Sequence, residues 1–170
     1  MRRGPFMVAG FILAALALGG VYFGVRATIG QWLYQAAKYG RGVDRPEAVM
    51  ALSQRSLQWY PANGRLCEFA AEWAYSRSFE PGATNAPELR LAARFWCDRG
   101  LALNFYSPYL RWLRSQLLWD EDRAAAIANW ADYTEWHFWD AYNHAQLCEM
   151  YARDGRIEAA ERELIWVRGS

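Results

Sequence analysis

The sequence predicts an all-α chain, with one apolar amino-terminal helix able to cross a membrane followed by about seven short helices. Three observations carry this. The 22 residues from Gly4 to Val25 include no charged side chain. Beyond them, apolar residues recur three and four positions apart, the spacing of one face of a helix. Proline and glycine interrupt that pattern at short intervals, as at Gly40-Arg41-Gly42, Tyr60-Pro61-Ala62-Asn63 and Ser107-Pro108. The expected organisation is an anchor over 1–27, a juxtamembrane helix and linker over 28–45, and a helical domain over 46–170.

The first element is the anchor. As a helix, Gly4 to Val25 spans about 33 Å, enough for a hydrocarbon core of about 30 Å. Arg2 and Arg3 precede it and favour a cytoplasmic amino terminus, which in a bacterium puts the rest in the periplasm. Arg26, Lys38, Arg41 and Arg45 on the other flank weigh against that orientation. A cleaved signal peptide is the rival, with Ala15-Leu16-Ala17 as a small-x-small site. The apolar run continues for eight residues past Ala17, so an uncleaved anchor is expected. Gly20 and Gly24 have the spacing that lets membrane helices approach closely.

The later elements follow in order. Ile29 to Tyr39 reads as a short helix, with Trp32 and Tyr34 expected at the membrane surface. Pro46 opens a helix to about Trp59. The next runs from Gly64 to about Ser78, and its Leu66-Cys67-Glu68 echoes Leu147-Cys148-Glu149, 81 residues later. Glu80 to Pro87 is the longest break. Glu88 to about Asn104 follows, with Ala93, Cys97 and Gly100 on one contact face. Pro108 to Trp119 and Arg123 to Trp136 are helical in pattern.

The last thirty residues are the most informative. Ala141 to Leu164 reads as helix, tight turn, helix. Cys148 is a small residue where two helices would touch, Tyr151 lies one turn later and Gly155 marks the turn. Ala160 then fits against the small residue, Leu164 follows four positions on, and Tyr142 and Leu147 complete the register. This pattern resembles a tetratricopeptide (TPR) repeat. The resemblance implies about three and a half helix-turn-helix units stacked as a short right-handed α-solenoid with a concave face. A 33-residue offset from Gly155 to Asp122 puts Ser115 at the small position of the middle unit. It also puts Arg111 and Arg114 where apolar residues are expected, so either the register slips or the contact is unusual. In the first unit, both Ala71 and Cys67 compete for the close contact, with Ala71 preferred.

Composition narrows the function. Residues 1–100 carry 12 Lys+Arg against 7 Asp+Glu, and residues 101–170 carry 7 against 11. Neither half holds a dense basic stripe, so nucleic-acid binding has no support. Three cysteines, Cys67, Cys97 and Cys148, are too few and too far apart for a disulfide framework or a zinc site, and read as small buried residues. Ten tryptophans are many for 170 residues. A small helical domain hides only some of them, and the others suit a partner or the headgroup zone.

Chemistry has little support. His137, Asp140, His144 and Cys148 share a helical stripe, but on one straight helix they spread over about 16 Å, too far for one metal ion. Asp120-Glu121-Asp122 reads as the end of one helix and the start of the next. Glu158, Glu161 and Glu163 with Arg156 and Arg162 read as a solvated face. No phosphate loop, nucleophile elbow, HExxH or paired CxxC occurs. No catalytic residue, metal or cofactor is expected.

The TPR resemblance implies a protein-binding role. First helices of each pair form the concave face, which here offers Tyr109, Arg111, Trp112, Arg114, Asn143 and Gln146 to a partner. For Arg111 and Arg114 the favoured reading is structural, lying along apolar neighbours, ahead of partner binding. The expected function is a single-pass, inner-membrane-anchored interaction scaffold, an accessory or assembly subunit of a bacterial envelope complex. Its partners would be other membrane or periplasmic proteins, and the bilayer through residues 4–25. The alternative is a small structural subunit buried permanently in a larger membrane machine, such as an energy-converting complex.

Overall fold

The computed structural model describes residues 4–42 and 44–169. Eight α-helices and no strand occur among the described residues. They are α1 (Gly4–Tyr39), α2 (Pro46–Trp59), α3 (Gly64–Arg77), α4 (Ala86–Leu103), α5 (Pro108–Trp119), α6 (Arg123–Trp136), α7 (Ala141–Arg153) and α8 (Ile157–Arg168). Arg2 and Arg3, which carry the orientation argument, lie outside the described residues. Two compact units make up the chain, Met1–Leu66 and Cys67–Ser170.

In the first unit, α1 is a single helix of 36 residues. The expected juxtamembrane helix, Ile29 to Tyr39, is therefore the continuation of the apolar one. Nothing between Val25 and Tyr39 breaks helical hydrogen bonding, and Gly30 serves as a contact point. From Gly10 to Tyr39 this helix is long and apolar enough to cross a membrane, and its most apolar window is wholly unburied. It stops at Gly40, whose N–H still bonds Ala36 O at 2.9 Å. Pro46, with its preset φ, and Glu47 in the first turn start α2. The α2 helix packs against the last turns of α1 through Val49, Ser53 and Ser56 on one side and Gly30, Leu33, Tyr34 and Ala37 on the other. The closest approach is at Gly30, where a Cβ would stand 2.5 Å from the Tyr60 Cβ. Ser56 Oγ donates to Gly30 O there at 2.6 Å. Tyr34 is buried, so of the pair expected at a membrane surface only Trp32 is exposed.

In the second unit the helix starts are written locally. Ser107, Asp122 and Asp140 each accept a backbone N–H from the first turn of α5, α6 and α7. Gly155 has φ +79°, the left-handed conformation that ends α7 cheaply only with glycine. Small residues set the helix spacing. Cys67 on α3 and Leu110 on α5 both close on Gly100 of α4, where any Cβ would collide with Leu110. Both Ala71 and Cys67 are fully buried, and Cys67 is the one that meets Gly100. The core of α5, α6 and α7 gathers Trp119, Ile127, Trp130, Tyr133, Leu147 and Met150, with Tyr151 packed against it.

Tyr142, at the start of α7, is exposed, and Asp140 holds its N–H in the cap. One expectation in this unit needs correction. Glu163 is not part of a solvated face, since its carboxylate turns inward to His144 at 2.6 Å. Glu158, Glu161 and Arg162 do face solvent.

Candidate functional site

The α5 helix carries four of the residues expected to meet a partner, and the fold sorts them. Arg111 lies only 4% exposed. Its Nε donates to Phe105 O at 3.2 Å, its Nη1 to Asn129 Oδ1 at 3.2 Å, and Asp132 Oδ2 lies 3.2 Å from the same Nη1. The guanidinium also stacks on the Phe105 ring, 3.8 Å from its centroid. Asn129 Nδ2 returns to Arg111 O and to Ser115 Oγ, both at 2.8 Å, and Ser115 Oγ donates to Ala126 O. These bonds form a polar seam between α5 and α6 around Arg111, one of the two positions where apolar residues were expected. Burial pulls the Arg111 pKa down, and the Asp132 carboxylate opposes that. Its Nη2 has no partner among the described residues.

Arg114 is half-buried and turns toward α4, its Nε 3.5 Å from Asp98 Oδ1. Tyr109 and Trp112 are half-buried neighbours, their rings 6.0 Å apart. Trp112 also meets Tyr75 edge-on. Burial, and then the charge of Glu72 with a hydrogen bond to it, push the Tyr109 hydroxyl pKa well above its usual value. On α7, Asn143 is buried and its carbonyl accepts Trp130 Nε1 at 3.1 Å, whereas Gln146 is half-buried. Arg111 and Asn143 are thus interior. Tyr109, Trp112, Arg114 and Gln146 retain surface.

His144 is also interior. Its Nδ1 lies 2.6 Å from Glu163 Oε2, its Nε2 lies 2.7 Å from Phe138 O, and its ring stacks on Trp166 at 4.9 Å. Both partners carry acceptor oxygens, one on α8 and one in the turn before α7. The helix break at His137 removes that residue from α7 and dissolves the supposed ligand stripe. His144 ties α7, α8 and the α6–α7 turn together.

The surface feature that residue-by-residue reading missed is a chain of exposed rings. Phe105 meets Tyr106, Tyr106 meets Trp136 at 5.7 Å and His137 at 6.4 Å, and His137 meets Trp139 at 5.5 Å. Trp139 meets Phe138, which reaches Trp166 at 6.3 Å. Apart from His137 these rings are about half exposed or more, and Trp139 is 68% exposed. The ridge draws on the α4–α5 turn, the α6–α7 turn and α8. The surplus of tryptophans was its sequence signal. Trp96, Trp119 and Trp130 are core, Trp73 and Trp112 are half-buried, and the other five are exposed.

A shallow groove in this unit is lined by Arg90, Leu91, Arg94, Leu117 and Glu121. Its charges pair across it, with Arg94 Nη1 2.8 Å from Glu121 Oε2. The buried thiols offer no nucleophile: burial pushes Cys67 up to about 11 and Cys97 up to about 12. No protein-family model, no curated protein and no solved structure matches the chain.

Proposed function

We propose that this protein is a membrane-anchored protein–protein interaction scaffold of TPR-like helical pairs, and that the aromatic ridge is its partner surface. The single observation carrying this is the run of ring contacts from Phe105 to Trp166, exposed apart from the half-buried His137 that joins its two parts. Leaving so much aromatic surface in water is costly, and contiguous patches of this kind mark interaction sites. Tryptophan and tyrosine also dominate binding energy where they are rigidly presented. The rings here are held by the His144 post and by one another.

Further support comes from the helix pairs. In the α5–α6 pair Ser115 Oγ donates to Ala126 O, in the α7–α8 pair the small Ala160 is buried, and Gly155 turns the second pair. A TPR-like stack requires this. The apolar window of α1, which is unburied, supports the anchor. On this reading α1 spans a bacterial inner membrane with its amino terminus in the cytoplasm, and α2 onward lies in the periplasm. The role is recognition within an envelope complex.

A second reading, a permanently buried structural subunit, is favoured by the same breadth of exposed aromatic surface. Gentle detergent extraction of the tagged full-length protein, with mass spectrometry of what co-purifies, separates the two. A variable set at low ratio supports the scaffold. A fixed set of membrane proteins in constant ratio supports the structural subunit. Recovery of the protein alone contradicts both.

A further inference from the structure

Arg26 is the first charged residue after the apolar stretch, and it does not point freely into solvent. Its Nη2 donates to Gln58 O at 2.6 Å, its Nε to Trp59 O at 3.2 Å, and its Nη1 to the Tyr22 hydroxyl at 3.2 Å. Gln58 and Trp59 close α2, so a guanidinium on α1 neutralises the negative end of the α2 dipole. One turn further along α1, Gly30 meets Tyr60. The carboxy-terminal end of α2 is therefore pinned to α1 at the level of residues 26–30, where the apolar stretch ends.

Distances along α1 fix what that level is. The hydrocarbon core needs about 20 residues of helix, and the headgroup layer adds roughly 5 to 7 Å on each side. If the core ends near Val25, that layer covers about four further residues at 1.5 Å each. Arg26, Trp59 and Tyr60 fall there, and the Tyr22 hydroxyl reaches it from the last turn of the apolar stretch through its bond with Arg26. Tyrosine and tryptophan are the residue types favoured in that zone. Trp59 is exposed. A shallow hollow lined by Ala27, Thr28, Gln31, Trp32, Gln35 and Tyr60 begins at this level and runs on along α1 away from the apolar stretch. The Thr28 hydroxyl is satisfied within the helix by Gly24 O at 2.9 Å, as a hydroxyl at the edge of hydrocarbon requires. Three of the five guanidinium N–H donors are used in the bonds above, which leaves two for an anionic oxygen.

We propose that the carboxy-terminal end of α2 rests in the phosphodiester headgroup layer of the bilayer, with Arg26, Tyr22, Trp59 and Tyr60 as its contact ring. Lipid phosphate takes the two remaining donors of Arg26. The hairpin then fixes the depth of the anchor, and the last 13 residues of α1, Ala27 to Tyr39, stand outside the hydrocarbon as a stalk of about 20 Å. This rests on the reading of α1 as a membrane-spanning helix.

The test places a fluorescent label at single exposed positions of the full-length protein in phosphatidylcholine vesicles, in a Cys148→Ala background. Cys67 and Cys97 are fully buried. Quenchers sit on the lipid headgroup or midway down the acyl chain. At Gln58→Cys the headgroup quencher should act more strongly than the acyl-chain one. At Arg55→Cys, one turn back along α2, its effect should be smaller. At Arg41→Cys neither should act. A label at Leu16→Cys should show the reverse order, and this tests the spanning helix alone. Leu16 quenched from the acyl chain with Gln58 unquenched would overturn the headgroup assignment and leave the anchor intact. Leu16 quenched by neither would overturn the anchor and this inference with it. Should the Gln58 variant misfold, Trp59→Cys must show the same order as expected for Gln58, and acyl-chain quenching or no quenching there would refute the proposal.

Discussion

Asp132 is half exposed, and an exposed ion pair contributes about 0.2–1 kcal/mol. On that basis Asp132→Ala would hardly matter. The structure argues otherwise because the burial is one-sided. Arg111 is 4% exposed and cannot move its charge to water when the carboxylate is removed. Its remaining partners would be Phe105 O, Asn129 Oδ1 and the Phe105 ring. Breaking a fully buried pair from one side costs about 3–5 kcal/mol. Solvent at Asp132 screens part of this, so about 2 kcal/mol is expected for Asp132→Ala. Arg111→Met removes the charge but keeps most of the stem, and should cost only about 1 kcal/mol. Introduced into the Asp132→Ala background, Arg111→Met should be neutral or stabilising, because no stranded charge remains. Urea unfolding of the full-length protein in mild detergent, followed by helical circular dichroism, reads these differences. An Asp132→Ala midpoint within about 0.5 kcal/mol of the parent would refute the reasoning, because it would mean that the guanidinium reaches solvent.

The remaining predictions use the same assay unless stated. Glu163→Gln replaces a charged hydrogen bond to His144 with a neutral one and should cost about 1–2 kcal/mol, while the exposed Glu161→Gln should change stability by less than about 0.5 kcal/mol. Gly30→Leu should open the α1–α2 hairpin, seen as faster tryptic cleavage after Arg41, and unchanged cleavage would contradict the close contact with Tyr60. Burial raises the Cys67 and Cys97 thiols from about 9 to about 11 and about 12, so the unfolded chain releases these protons first. Their stabilising contribution is therefore complete below pH 9 and lost as pH rises through that window, at up to about 1.4 kcal/mol per pH unit for each thiol. Cys97→Ala should flatten the alkaline slope, and a slope equal to that of the parent would refute the assignment.

Local signals in the sequence were enough for the helix ends. Asp122, Asp140 and Ser107 are capping residues in front of helical patterns, Gly155 is a turn glycine, and each does that job. All-α character and an apolar first helix were legible for the same reason. The misread parts depend on partners far along the chain. Arg111 at a core position looked anomalous because its acceptor, Asp132, lies on the next helix. Glu163 looked like one more surface carboxylate because His144 is 19 residues away. The continuity of α1 was missed because Arg26 read as the boundary of the apolar helix, whereas it is a cap for α2 set within one unbroken helix. The aromatic ridge was visible only as a surplus, since its rings come from three separate segments and no period links them.

The central claim is that exposed rings on the second unit bind a partner without holding the fold together. Trp136→Ala and Trp139→Ala together remove two exposed rings, so stability should change by less than about 1 kcal/mol. The decisive measurement is quantitative mass spectrometry of what co-purifies with this double variant, at membrane levels matched to the parent. The account predicts an intact, membrane-extracted protein stripped of most of its co-purifying set. An unchanged set at unchanged ratios would contradict it.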